Sequence, residues 1–234
     1  MTQAVDAPRR RRARALAVVL ATLAAGLFAP GVAAAQGRAD FGGKAASPQA
    51  RSFAGWVMSS GDAKGLPFVI IDKVQARLFV FYPDGRLRGA SAALLGLARG
   101  DDSVPGIGDR PLASIRPEER TTPAGRFVAA LGADLGIKDV VWVDYADAIS
   151  LHRVITTKPK ERRLQRLASP TPADNRISYG CINVPAKFYD SVVHPAFTGT
   201  NGIVYILPEV RSLASVFPAY RPLTAGGSGQ APAP

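Results

Sequence analysis

Three side chains in this 234-residue sequence offer thiol or imidazole chemistry: Cys181, the only cysteine, and the two histidines, His152 and His194. A single cysteine cannot close an internal disulfide, and its default role is that of a small buried hydrophobe. As a nucleophile it would act as the thiolate, which needs a base or a cation nearby. Cys181 stands in Ser178-Tyr179-Gly180-Cys181-Ile182-Asn183-Val184-Pro185, directly after a glycine that permits a tight turn and close approach of a substrate. His152 ends the apolar run Ala148-Ile149-Ser150-Leu151-His152, which reads as a strand and would fix the ring in place. His194, in Val193-His194-Pro195, reads as a capping or surface histidine at a helix end. No spacing among Cys181, His152 and His194 resembles a zinc pattern, so neither metal nor cofactor is expected.

The compartment bears on the thiol. Arg9 to Arg12 and Arg14 precede an apolar stretch, residues 15–29, which is broken by Pro30-Gly31 and followed by Ala33-Ala34-Ala35. This is the pattern of an export signal cleaved before Gln36. The apolar run is shorter than the roughly 20 residues of a spanning helix, so no membrane anchor is expected after cleavage. An unpaired thiol in an oxidising compartment is a liability unless it has work to do. The chain carries 29 Lys and Arg against 18 Asp and Glu. Residues 1–35 hold five arginines and Asp6, which leaves 24 against 17, net +7. That balance favours an anionic partner. In an exported protein the expectation is an anionic cell-wall polymer or a membrane surface and not nucleic acid. About 200 residues suit one domain with tails.

The elements that must position these residues are mostly strands. Residues 68–72, 77–82 and 86–91, with Pro83-Asp84-Gly85 as a turn, read as an opening β-meander. Further strands are expected at residues 127–131, 139–145, 148–152 and 203–207, and short helices at 161–167 and 185–193. Residues 36–65, rich in Gly, Ala, Ser and Gln, read as a flexible spacer with at most a short helix over 53–58. Residues 96–120 read as a solvated loop; Asp101, Asp102 and Asp109 do not have the spacing of a calcium loop. Residues 209–234 read as a loosely ordered tail.

Three motifs now fall in order: Thr122-Pro123-Ala124-Gly125-Arg126-Phe127, the strand ending in His152, and Ser178-Tyr179-Gly180-Cys181-Ile182-Asn183. Together they resemble the L,D-transpeptidase (YkuD-type) catalytic domain over residues 66–208. The resemblance implies a mainly β fold, with mixed sheets in a sandwich- or barrel-like core. It implies that Cys181 attacks a peptide carbonyl of a peptidoglycan stem and holds the acyl group as a thioester, that His152 is its base, and that Gly180 and the backbone at Cys181 form the oxyanion site. Ser178, Tyr179 and Asn183 fall at substrate-contacting positions. Tyr179 replaces a histidine common in the family. Arg153 follows His152 where a small residue is usual, so a backbone carbonyl is the expected orienter of the imidazole. The stretch between His152 and Cys181 is longer than usual in the family.

That stretch, residues 153–176, holds seven Lys and Arg against two acidic residues, with three prolines. It reads either as a solvated loop or as a lid. As a lid, Lys158, Lys160, Arg162, Arg163 and Arg166 would draw in stem-peptide carboxylates, arginine gripping them through two bonds. The acyl acceptor stays open: another stem amine, a lysine of an envelope protein, or water, which would make the protein a carboxypeptidase or amidase. A non-catalytic wall-binding domain is the alternative from another class.

Overall fold

Period-two alternation decides where the strand side chains go. In β1 (Phe68–Asp72), β2 (Arg77–Phe81) and β10 (Gly202–Leu207) both faces are apolar. Val69, Ile71, Leu78, Val80, Val204 and Ile206 enter one buried cluster, and Phe68, Ile70, Phe79, Phe81, Ile203 and Tyr205 enter another. These strands belong to an eight-stranded mixed sheet. Its other members are β3 (Leu87–Ala92), β5 (Gly125–Asp134), β6 (Ile137–Asp144), β7 (Ile149–Arg153) and β9 (Ile182–Val184), in the order β3-β2-β1-β10-β5-β6-β7-β9. The pairs β1/β10 and β7/β9 are parallel and the others antiparallel. Just beyond β3, Leu94 exchanges both backbone hydrogen bonds with Asn183 of β9, at 2.8 and 2.9 Å, so the two edges of the sheet meet. A short parallel pair, β4 (Leu95–Gly96) with β8 (Arg176–Ser178), adjoins this seam. The fold is mainly β, as expected. This computed structural model describes residues 38–134 and 137–222; the expected export signal lies outside them. Among the described residues no helix is long and apolar enough to cross a membrane.

The expected spacer is part of the domain. Residues 48–60 form α1 (Pro48–Ser60), started by Ser47, whose hydroxyl accepts from Ala50 N at 3.0 Å, and ended by Gly61 in the left-handed conformation. Ala50, Phe53, Ala54 and Val57, spaced i, i+3, i+4, i+7, bury themselves with Trp56 on the outer face of β1, β2 and β10. Trp56 therefore lies in a core. The C-terminal segment is also held as far as residue 222. α5 (Leu213–Val216) precedes Phe217 and Tyr220, which stack near Phe53 in the same cluster. The expected helix 185–193 runs on to Phe197, as α3 (Ala186–Phe188), a π-helical stretch Tyr189–Val193 and α4 (His194–Phe197). The wider π turn lets the helix continue past Pro195. Tyr189, Val193 and Phe197 pack on the interior cluster. The remaining helix, α2 (Arg163–Ala168), lies in the basic stretch.

Residues 96–120 are mostly solvent-facing, as expected, but they are pinned at a few buried points. Three short 3-10 turns, Ile107–Asp109, Leu112–Ser114 and Pro117–Glu119, carry Ile107 and Ile115 inward, and Glu119 accepts from Arg110 and Arg116. Asp101 lies on the inside. It receives the ammonium of Lys73 at 2.8 Å and the backbone N–H groups of Glu209, Val210 and Arg211 at 2.6–2.9 Å. The two side chains are 0 % and 1 % exposed. Burial alone would raise the Asp101 pKa. The Lys73 bond and the three amides outweigh it and hold the carboxyl down to about 2. Because the folded value is depressed, the stabilisation is complete above the ordinary value of 3.8 and is lost as pH falls towards 2. Replacement of Asp101 by alanine is expected to cost about 3 kcal/mol, the loss typical of orphaning a buried charge. Urea denaturation checks the cost, and the variant should lose less further stability than the wild type between pH 4 and pH 2.

Candidate active site

Cys181, His152 and Asn183 are set side by side by the register of two short parallel strands. Leu151 lies opposite Ile182 and His152 opposite Asn183. Leu151 and Ile182 face the interior cluster, so Ser150, His152, Cys181 and Asn183 all face outward. The Ser150 hydroxyl lies 3.6 Å from Cys181 Sγ, and the thiol is 3.5 Å from Ala148 O. Asn183 Nδ2 is 3.3 Å from His152 Nε2 and 3.3 Å from Cys181 O. His152 Nδ1 lies 2.7 Å from Arg153 O. The carbonyl can only accept, so Nδ1 carries the proton and Nε2 presents its lone pair. Among the described residues no direct hydrogen bond joins the thiol to the ring; Asn183 stands at Nε2.

Burial sets the resting charges. Desolvation lowers the pKa of His152 below its ordinary 6.5, opposed by the Arg153 carbonyl and aided by the nearby Arg163 charge. Desolvation raises that of the Cys181 thiol above 9.0, with Ser150 opposing. The pair therefore rests as neutral thiol and neutral imidazole at pH 7.

The turn before Cys181 is built from a small set of buried hydrogen bonds. Gly180 has φ +135°, and a Cβ there would lie 2.7 Å from both Thr121 O and Ile149 Cδ1. Only glycine fits. Ser178 Oγ donates to Cys181 O at 2.6 Å and accepts from Gly180 N at 3.1 Å. Thr122 Oγ1 donates to Gly180 O at 2.8 Å and accepts from Gly96 N at 2.8 Å. Two expectations change in consequence. Ser178, although at the cleft, spends its hydroxyl on the turn and not on a substrate. Gly180 spends its N–H on Ser178, so of the two backbone donors expected at the oxyanion site, that of Cys181 is left.

A cleft of about 350 Å³ opens over this face, lined by Ser150, His152, Cys181, Asn183, Ser178, Tyr179, Trp142 and Leu112, and on its far side by Ile155, Thr157, Lys158, Glu161 and Arg163 of the basic stretch. A hollow of about 60 Å³ also reaches Cys181 past Tyr179 and Arg110. The Tyr179 ring lies 4.0 Å from the Arg120 guanidinium carbon and forms one wall. Arg163 bonds Glu161 and, at 2.7 Å, Asn183 Oδ1. It therefore fixes which way the Asn183 amide points. Arg162 is exposed and takes φ +50°, which turns it away from the cleft to a separate depression with Gln165, Arg166, Ser169 and Asp174. It does not line the cleft as expected. Arg166 is occupied by the carbonyls of Glu161 and Asp174. His194 sits apart, 3.6 Å from Asp139. The sequence reading missed Ser150 and Thr122. Ser150 was findable as the residue two before His152 on one strand face, and Thr122 from its own motif. Among the described residues no three His, Cys, Asp or Glu side chains group to hold a metal.

No family model matches the chain, and no curated protein sequence matches it. Solved structures do. The helical cell shape determining protein Pgp2 from Campylobacter jejuni is similar at 14% identity and a TM-score of 0.42, covering 62% of this chain and 49% of that one. An L,D-transpeptidase from Xylanimonas cellulosilytica is similar at 15% identity and 0.38, covering 61% and 60%. The L,D-transpeptidase LdtMt1, solved in complex with imipenem, is similar at 14% and 0.35, covering 60% and 58%. This chain covers less than two thirds of each of these chains.

Two outcomes are expected from this geometry. Gly180→Ala should abolish reaction of Cys181 with iodoacetamide at neutral pH, because the turn must open to admit a Cβ; mass spectrometry of the alkylated protein measures it. Arg163→Gln removes a cation near the imidazole and should raise the His152 pKa. An NMR titration of the ring proton reads this directly, since only His194 shares the region of the spectrum.

Proposed function

We propose that this chain is an exported cysteine acyltransferase of the L,D-transpeptidase type, acting on peptidoglycan stem peptides in the cell envelope. The observation that carries the reading is the outward-facing row of Ser150, Cys181, His152 and Asn183 in an open cleft, with the imidazole tautomer fixed by the Arg153 carbonyl. Acyl transfer needs a nucleophile, a base with a free lone pair and a donor for the oxyanion. In the proposed cycle the Cys181 thiol proton moves to His152 Nε2, displacing the Asn183 amide, as Sγ bonds the stem carbonyl carbon. The oxyanion is met by the Cys181 backbone N–H. The C–N bond breaks, and the leaving amine takes the proton from Nε2. An acceptor amine then attacks the thioester and gives its proton to the same nitrogen, and the thiol is restored as Sγ leaves. With thiol and ring both neutral at rest, proton transfer accompanies attack. Transfer to an amine of another stem or of an envelope protein follows the same steps.

Incubation with purified muropeptides and mass spectrometry of the products tests the reading; recovery of substrate unchanged overturns it. Cys181→Ala should leave less than about a hundredth of wild-type turnover. His152→Ala should cost far more than Tyr179→Phe or His194→Ala. The pH profile of kcat/KM should hold its activity down past pH 6.5 before the acid limb falls, because the neutral imidazole persists below its ordinary pKa. An acid limb above pH 6.5 would contradict the proposed base.

A further inference from the structure

The cleft floor extends beyond the thiol in one direction, across β7 to Trp142 of β6, a ring that the acyl-transfer chemistry does not use and on whose face Tyr145 stacks. Trp142 of β6 lies opposite Ser150 of β7, and Ser150 touches Cys181. Trp142 is therefore two strand spacings from the nucleophile, about 10 Å, on the same outward face. Its indole is held in place. Nε1 donates to Ala133 O at 3.1 Å, and the ring edge lies over Gly132, where a Cβ would come within 2.6 Å of Cδ1. Tyr145 stacks on it, with centroids 4.5 Å apart and planes at 22°. The turn that carries Tyr145 is fixed by Asp144, whose carboxylate accepts from Ala146 N at 2.9 Å. Tyr145 is nonetheless 70 % exposed, and Leu112, across the cleft, is 61 % exposed. This stacked, solvent-facing aromatic pair is already ordered, and among the described residues Tyr145 keeps most of its surface uncovered.

We infer that Trp142 and Tyr145 form a platform for a pyranose ring of a β-1,4-linked N-acetyl amino sugar chain, the glycan to which a stem peptide is joined. This rests on the acyl-transfer reading above. The chemistry fits a sugar: one face of such a ring presents axial C–H groups that lie flat on an aromatic face, while its hydroxyl and amide groups stay in water at the rim. The spacing fits as well. Three extended residues span about 10 Å, so a short stretch of stem running from an acyl group on Cys181 brings its sugar to the platform.

The experiment is a titration of the Cys181→Ala chain with peptide-free tetra-N-acetylchitotetraose, read by tryptophan emission and by calorimetry. The chain has two tryptophans, and Trp56 is buried at 6 % exposure, so a change in emission reports Trp142. Saturable binding is expected. Tyr145→Ala should weaken it about tenfold, and Tyr145→Phe, which keeps the ring face, should preserve it. No saturable binding at millimolar sugar, or equal binding by Tyr145→Ala, overturns the platform. So does loss of affinity in Tyr145→Ala for free stem peptide alone, which would make the rings a peptide subsite. Muropeptide turnover by the wild-type chain is assayed alongside. Sugar binding without turnover removes the acyl-transfer reading and leaves the platform; turnover without sugar binding does the reverse.

Discussion

The buried ammonium of Lys73 is the constraint on which the site's surroundings depend. It has three hydrogen-bond partners, Asp101, Gly100 O and Thr122 O, with Glu209 at 3.8 Å. Removal from water lowers its pKa, and the carboxylates of Asp101 and Glu209 oppose the shift. A cation in this position is tolerated only while its partners stay put. Lys73 itself lies in the turn after β1, and its partners come from distant parts of the chain: the loop before the 3-10 turns, the residues just before β5, and the segment after β10. Arg176 closes the group by binding Glu209 and the Lys73 carbonyl. Thr122 joins this group to the chemistry, because its carbonyl serves Lys73 and its hydroxyl serves Gly180. The position of the turn before Cys181 thus depends on a charge that does not line the cleft.

The second constraint is sheet register. Once the apolar residues of β6, β7 and β9 enter the interior, their alternate neighbours have no choice but to face out. On β1, β2 and β10 that outer face is covered by α1 and the C-terminal segment. On β6, β7 and β9 it is left open as the cleft. One sheet therefore supplies a second core at one side and a reactive surface at the other. A one-residue slip of β7 would turn His152 and Ser150 from the cleft face into the apolar interior cluster and bring Ile149 and Leu151 to the cleft face.

Much of this was legible in the sequence. β1, β2 and β10 are β-branched and aromatic runs bounded by turn residues, and the strand ending in His152 showed its alternation. The carbonyl of Arg153 was expected as the imidazole's partner because Arg153 itself is unsuited to the task. α1 was legible only at its centre, residues 53–58, because the Gly, Ala, Ser and Gln around Phe53, Trp56 and Val57 give the segment a composition shared with linkers. Lys73 and Asp101 gave no local signal. Two charged residues in a turn and a loop look solvated until contacts 28 residues apart bring them together. The basic stretch was legible in its charge and not in its aim. Arg162 and Arg163 are neighbours, yet the left-handed backbone at Arg162 sends them to different depressions, and Arg163 spends its guanidinium on Asn183 and Glu161.

Arg153 holds two offices that mutation would separate. Its guanidinium binds Asp190 and Asp139 and lies 4.2 Å from the centre of the Tyr189 ring, docking the helical run after β9. Its carbonyl holds the His152 proton. Every amino acid brings a carbonyl, so no substitution at position 153 deletes that acceptor. The side chain at position 153 therefore carries none of the information that selects the imidazole tautomer. One half of that information is the backbone carbonyl, held by the pairing of β7 with β9, which a comparison of residue identities would pass over; the other half is the Asn183 amide, which Arg163 turns towards Nε2.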